Sequence, residues 1–429
     1  MNPETSGADC AATCLEADVA VIGGGVVGHG IAWEARRSGR SVVLIDEAPG
    51  SGASWAAAGM LAPVSELHYQ EEGLLELMLE SSARWPEFAA TLTAGEDAGY
   101  LTTPTLAVGA DPADRRALMD LRDVQRSHGL KVEPLTIREA RSREPLLSPA
   151  ISCALDIPAD HQVDPRRLVR AIAAGLAGHR QEIAAAEGYA VRDNAAGLLR
   201  DGGRVSGVRL AGGGSVRAAE TVVANGLAAA QLQDLPESLQ LPLRPVHGDI
   251  LRLRVPAHLQ PLLTATVRGM VRGVPVYIVP RQDGTVVIGA TQREDGVPGT
   301  SAGGVYQLLR DAQVLLPAVA ELELLEATAR ARPGTPDNAP LLGRVPAGGQ
   351  EPGTDVAGLI IATGFFRHGV LLTPAAAVIC RQLMDGIRDP RWAAFRPGRF
   401  SPGLHEPAES APAESAPLQP DIALSPAPG

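Results

Sequence analysis

Lysine is almost missing from this chain of 429 residues. Lys131 stands alone, so arginine supplies 37 of the 38 basic residues. A Schiff base to pyridoxal phosphate or a P-loop around a nucleoside triphosphate would need a lysine. The one available lies in RSHGLKVEP, a polar connection ahead of a strand, which argues against both chemistries. The four cysteines, Cys10, Cys14, Cys153 and Cys380, are scattered, and the Cys10–Cys14 spacing matches no common zinc pattern. There is no H-E-x-x-H and no His/Cys cluster, so no metal is expected. No apolar run approaches the roughly 18 residues that span a bilayer. The first residues, MNPETSGADCAATCLEA, lack the basic start and apolar centre of a secretion signal, so a cytoplasmic location is expected. Net charge is −11 and no basic stripe interrupts it, which disfavours nucleic acid and anionic membrane surfaces as partners. Aromatic content, at 3%, says little about interfaces, though a homo-oligomer is expected. With 45% hydrophobic and 20% charged residues the composition is that of a soluble globular protein, and the length favours two domains over one.

What is present is concentrated in residues 17–46, ADVAVIGGGVVGHGIAWEARRSGRSVVLID. Residues 19–22 form a short Val/Ile run suited to a buried parallel strand. Gly23, Gly25 and Gly28 follow on G-x-G-x-x-G. The first allows a tight turn, the second lets a pyrophosphate reach the backbone, and the third lets helix and strand pack closely. A helix starting here aims free N–H groups and a positive dipole end at the phosphates. Val26, Val27, Ile31 and Ala35 have helical spacing, Gly39 suits the helix end, and 42–45 is the next strand. Asp46 closes it, 18 residues after Gly28, where an acid can bond ribose hydroxyls. The pattern predicts a dinucleotide site but does not choose between NAD and FAD.

Further along, a helix with a polar face is expected over 66–92, and another after Asp111 as N-cap. Over 163–176, Asp164 is the expected N-cap and Pro165 the first helical residue. Strands are expected near 189–191 and over 204–210, 220–226 and 242–255. Residues 274–291 read as a hairpin turning at Asp283–Gly284. A helix is expected near 308–316, a buried strand over 358–363, and after a tight loop an apolar helix over 371–384. The expected fold is α/β with two domains: a Rossmann-like dinucleotide domain built from 17–95, 155–235 and 332–395, and an antiparallel β-sheet substrate domain from 96–154 and 236–331. Residues 1–16 are expected to be a disordered leader. The stretch 400–429, rich in Pro, Ala, Ser and Glu, is expected to be a disordered tail.

Four segments resemble the D-amino-acid oxidase superfamily of FAD enzymes, in particular its glycine oxidase branch associated with thiazole synthesis in thiamin production. They are the 17–46 motif, GASWAAAGMLAP, VYIVPRQDGTVVIGAT, and RPGTPDNAPLLGR with ATGFFRHGVLLTPA. The same order of elements can be followed from about 17 to 390. The resemblance implies FAD, held non-covalently because no cysteine stands at 325–340, where flavin-linked sarcosine oxidases carry theirs. It implies oxidative deamination of glycine and small amines such as sarcosine and D-alanine. A hydride passes to flavin N5 and molecular oxygen is the oxidant. The alternatives are an FAD-dependent D-amino-acid dehydrogenase with another acceptor, or an NAD-linked or non-catalytic dinucleotide-binding protein.

Arg332, at a strand end before Pro333–Gly334, can hold a carboxylate by two parallel hydrogen bonds, and the resemblance implies that role. Tyr277, opposite in face to Val276 and Ile278, can donate to the same carboxylate. Arg367 in GFFRHG borders the substrate pocket in the relatives; the bland alternative is a structural arginine paired with Asp337. The resemblance implies cofactor contacts at Ser54, Ala57, Ala58, Gly59, Met60, Val191, Ala224 and Gly226 as well as the glycine turn. His368 is either a loop histidine or a further contact. Gly369, Val370 and Leu371 would offer backbone N–H groups to the flavin pyrimidine edge. Gln292 stands where a relative would have methionine, which bears on the preferred amine.

Overall fold

The Val/Ile run after Asp18 has no polar alternation because both of its faces are covered. In the computed structural model, which describes residues 14–92, 97–178, 189–348 and 354–402, the strand Cys14–Ile22 alternates exposed and buried through Asp18 and is buried throughout from Val19. It sits inside a sheet of eight strands, paired in parallel with Ser215–Val223 on one side and Val42–Ile45 on the other. Asp355–Thr363 extends the parallel core beyond Ser215–Val223, and Leu341–Pro346 closes that edge antiparallel. Ala190–Val191 closes the other edge.

The helix Val26–Arg37 packs against Thr373–Met384 and Pro165–Gly178, and two glycines set the distances. A Cβ on Gly30 would lie 2.4 Å from Thr373 Cγ2, and one on Gly175 would lie 2.7 Å from the Trp33 ring. This layer, with Trp85 and Phe88 from the helix Leu75–Ala90, forms the largest core.

A second eight-stranded sheet runs in the order Glu323–Gly334, Arg244–Arg254, Thr285–Gly289, Val274–Pro280, Thr266–Val271, Thr105–Gly109, Cys153–Ile157, Glu133–Leu135. All pairs are antiparallel except Thr266–Val271 with Thr105–Gly109. Its Val274–Pro280 and Thr285–Gly289 strands are the expected hairpin, closed by Arg281 N–H to Thr285 O at 2.9 Å. Asp111 caps its helix in a capping box with Asp114, and Asp164 accepts from Arg166 N–H at 2.9 Å.

Several boundaries differ from the sequence reading. The first strand begins at Cys14, so Cys14–Glu16 are paired with Ser215–Arg217 rather than part of a leader; residues 1–13 lie outside the described residues. Phe400 ends a short 3-10 turn and Ser401 is buried, accepting from Gln240 N–H, so the tail begins later than 400; 403–429 lie outside the described residues. Cys153–Ile157 and Glu323–Gly334 each belong whole to the second sheet, so strands run across the divisions drawn at 155 and 332. The expected 66–92 helix starts only at Leu75, after a 3-10 turn, and the last long helix starts at Thr373 with Pro374 in its first turn. Pro374 explains the second shift, since proline is tolerated where helix N–H groups need no partner inside the helix.

Candidate active site

One cavity of about 990 Å³ runs from the glycine turn to the second sheet. At the turn, Gly23 has φ +107° and a Cβ there would sit 2.6 Å from the Ala224 backbone. Gly24 N–H donates to Asp46 Oδ2 at 2.6 Å, and Val26 N–H donates to Ser54 Oγ at 2.9 Å. The amides of Gly25 and Val27 have no partner among the described residues, and both residues line the cavity. Gly28 does not line it: a Cβ there would come within 1.9 Å of Gly23 O, so it serves helix–turn packing instead. Asp46 lines the cavity, with Oδ1 also accepting from Ala48 N–H at 2.8 Å. Val191 is not in the wall; its carbonyl fixes Asp46 N–H at 3.1 Å.

Ala56, Ala57, Ala58 and Gly59 line the cavity with almost no side-chain volume, and Met60 lines it beside them. Gly59 has a packing duty as well, because at φ +73° its Cβ would come within 1.9 Å of Val163 O. Ala224 and Gly226 line the cavity as well. The turn Gly369, Val370, Leu371 precedes the helix Thr373–Met384, and these three amides have no partner among the described residues. Five unpartnered N–H groups at two helix starts, with a floor of alanines between them, fit an extended dinucleotide carrying phosphates at one end and an electron-rich ring edge at the other.

The far wall belongs to the second sheet. Arg332 and Tyr277 both line the cavity there, with the guanidinium close enough to act on the phenol electrostatically. Arg332 also donates to Thr291 O at 3.4 Å and has no carboxylate partner among the described residues. Two glycines make room for the pair. A Cβ on Gly248 would lie 2.3 Å from Arg332 Nη1, and one on Gly289 would lie 2.5 Å from the Tyr277 hydroxyl. Burial raises the Tyr277 pKa above its ordinary value, so the phenol keeps its proton and can donate it. Gln292 is exposed and lines the same region.

Arg367 is placed differently from the sequence reading. Its Nε donates to Glu66 Oε2 at 2.7 Å and its Nη2 pairs with Glu71. Asp337 is not its partner; that carboxylate pairs with Arg399 at 2.9 Å. Glu66 also holds Arg268, across the sheet from Tyr277. Burial works against the Glu66 charge, but Arg268 and Arg367 outweigh it and hold the carboxyl well below the usual range. Glu66, Glu71 and Arg268 gave no signal in the sequence, because the pairings span 202 residues for Arg268 and 301 for Arg367. His368 is no exposed loop histidine: it is buried, lines the cavity, and neither ring nitrogen has a partner among the described residues. Burial, reinforced by the neighbouring Arg367, lowers its pKa to about 3, so the ring is neutral.

The chain is similar to known proteins over most of its length. Glycine oxidase of Geobacillus kaustophilus is 33% identical over 378 residues, covering 86% of this chain and 93% of the relative. The bifunctional protein ThiO/ThiG of Trichormus variabilis is 31% identical over 387 residues, 89% of this chain; the chain spans about half of that longer protein, 55%. The crystal structure of the Geobacillus kaustophilus glycine oxidase superimposes with a TM-score of 0.77 at 31% identity, covering 90% of this chain and 99% of the other. Residues 18–383 match the DAO family, described as FAD dependent oxidoreductase. FAD is therefore the dinucleotide that the two helix starts and the alanine floor accommodate, and the chain belongs to the DAO family of FAD-dependent oxidoreductases.

Proposed function

We propose that this protein is an amino acid oxidase of the glycine oxidase type. In this reading it converts glycine, oxygen and water to glyoxylate, ammonia and hydrogen peroxide, accepts sarcosine and D-alanine as other small amines, and supplies an imine for thiamin thiazole synthesis. The relatives' names support the substrate class. The observation that carries it is the Arg332 guanidinium, without a carboxylate partner among the described residues, beside the Tyr277 phenol on the cavity wall. A substrate carboxylate supplies the missing counter-charge: the guanidinium offers two N–H donors and the phenol a third. That contact would fix one end of the amino acid in the same cavity that the small-residue wall lines. FAD held along the glycine turn, Ser54 and the small-residue wall would supply the two-electron acceptor for that carbon and the route of those electrons to oxygen.

The protein's own part is positioning and shielding. Glu66, whose charge reaches Tyr277, is tied up by Arg268 and Arg367, and Glu71 by Arg367. Neither carboxylate is free to remove a proton from carbon, which favours hydride departure assisted by a neutral amine. The three unpartnered amides at 369–371 and the helix behind them would stabilise negative charge on a flavin ring held there. The test is an absorption spectrum of the purified protein, followed by anaerobic glycine. Flavin bands that bleach support the reading. Bands that glycine, sarcosine and D-alanine all leave unchanged overturn the substrate class. Bleaching without peroxide formation in air would assign a dehydrogenase with another acceptor.

A further inference from the structure

The strand Glu323–Gly334 sends two arginines to the cavity wall, Arg330 and Arg332, two residues apart and so on the same strand face. Arg332 is accounted for by the substrate carboxylate. Arg330 has a different setting. Its Nε donates to Ser51 O at 3.0 Å, and its Nη1 donates to Ala329 O at 2.8 Å and Thr328 Oγ1 at 3.3 Å. All three acceptors are neutral, and among the described residues no carboxylate lies within ion-pair distance. Nη2 makes no hydrogen bond among the described residues. The other two cavity-lining arginines, Arg268 and Arg367, are both neutralised by glutamates.

Ser51 ties Arg330 to one end of the cavity. Its loop is fastened to the glycine turn on both sides: Gly50 N–H donates to Gly24 O at 2.8 Å, and Ser54 Oγ takes Val26 N–H. The unpartnered amides of Gly25 and Val27 belong to this same turn. Amides supply only partial charge, however, and the wall here also carries Asp46 and Glu47. A pyrophosphate with two full negative charges needs a cation nearby, and the chain's single lysine is not in the wall. We propose that Arg330 is the cationic partner of the FAD pyrophosphate, reaching it from the second sheet while its hydrogen bond to Ser51 holds the guanidinium in place. This rests on the cofactor and not on the choice of amino acid substrate.

The test uses apoprotein stripped of flavin and titrated with FAD, followed by quenching of flavin fluorescence across a salt series. Riboflavin, which has the ring but no phosphate, is the companion probe. Arg330→Met is expected to raise the FAD Kd by about tenfold, the scale of one charge-assisted hydrogen bond, and to flatten its salt dependence. Riboflavin affinity should not change, and Arg330→Lys should recover part of the loss. An unchanged FAD Kd overturns the proposal, and if the amino acid KM rises instead, Arg330 belongs to the substrate. Equal weakening of FAD and riboflavin also overturns it, since that is a loss of fold. Should Arg330→Met fail to fold, Arg330→Lys and the salt dependence of the unaltered protein decide: FAD binding no more salt-sensitive than riboflavin binding excludes a cationic contact. An apoprotein that binds neither probe would contradict the cofactor itself, a separate result.

Discussion

Gly248 is the space into which Arg332 folds: a Cβ on Gly248 would lie 2.3 Å from Nη1, 2.4 Å from Nη2 and 2.6 Å from Cζ of that arginine. The two strands are adjacent, with Gly248 paired to Arg330 and Val246 paired to Arg332. Arg332 therefore lies diagonally across its neighbour, which brings it to Tyr277. The obstruction a methyl would meet is the far end of a flexible side chain, not backbone.

Gly248→Ala should consequently fold normally and displace the guanidinium. We expect kcat/KM for glycine to fall by an amount worth about 1.5–3 kcal/mol, the range of a hydrogen bond to a charged group, with thermal stability nearly unchanged. Steady-state peroxide assays alongside a thermal melt check this. Ordinary kinetics in a well-folded variant would mean that Arg332 does not hold the substrate.

Arg332→Ala removes the counter-charge itself and should raise the KM by an amount worth roughly 2–4 kcal/mol. Tyr277→Phe removes one donor to the charged carboxylate and should cost about 1.5–3 kcal/mol. Arg332→Lys should recover little, because an ammonium cannot make two parallel bonds to a carboxylate. Propionate or acetate inhibition constants measured on the same variants should move with the KM if the contact is to the carboxylate.

Glu66→Gln leaves Arg268 and Arg367 without their shared partner. The expected cost to stability is about 3–5 kcal/mol, typical of breaking a buried ion pair from one side. A substantial drop in the melting temperature is the readout; a shift of a degree or two would show that Glu71 and water compensate.

Two cavity groups contribute to acid stability in separate windows. They act beside His29, His68 and His161, which burial lowers in the same direction as His368. They also act beside buried Asp160, whose pKa burial raises to about 6 and which therefore works in the opposite sense below that value. His368 is lowered to about 3 by burial, and it takes up a proton more readily unfolded, near its ordinary 6.5. The unfolded chain therefore binds more protons between these values, and stability falls as pH drops below about 6.5. Glu66 is depressed by its two arginines, so its contribution is complete above the ordinary carboxylate range and is lost at lower pH. Urea midpoints taken from pH 7.5 down to 4.5 should decline, and His368→Asn should flatten that decline. An unchanged slope in the variant would place the titration elsewhere.

The cofactor half was legible because its signals are local. The strand, glycine turn, helix and Asp46 lie within 30 residues, and Gly23, Gly25, Ser54, Ala57 and Ala58 all stand where the motifs put them, in the cavity wall. The Asp111 and Asp164 caps and the 281–285 turn were legible for the same reason: each rests on hydrogen bonds over two to four residues. Gly28 does the close packing that its place in the motif assigns it, whereas Val191, far from the motif in sequence, anchors Asp46 from behind through a strand pairing that no local signal shows.

By itself, then, the sequence determined the dinucleotide site, the family resemblance and the pairing of Arg332 with Tyr277 as candidates, since spacing along the chain carries that information. Only the tertiary structure decided which charges are free. Arg367 looks as available as Arg332 when read along the chain, but Glu66 and Glu71, about 300 residues earlier, neutralise it, while no acid reaches Arg332 or Arg330 among the described residues. Free charge depends on which side chains meet across two sheets, and a long-range contact of that kind leaves no periodicity or spacing in the chain.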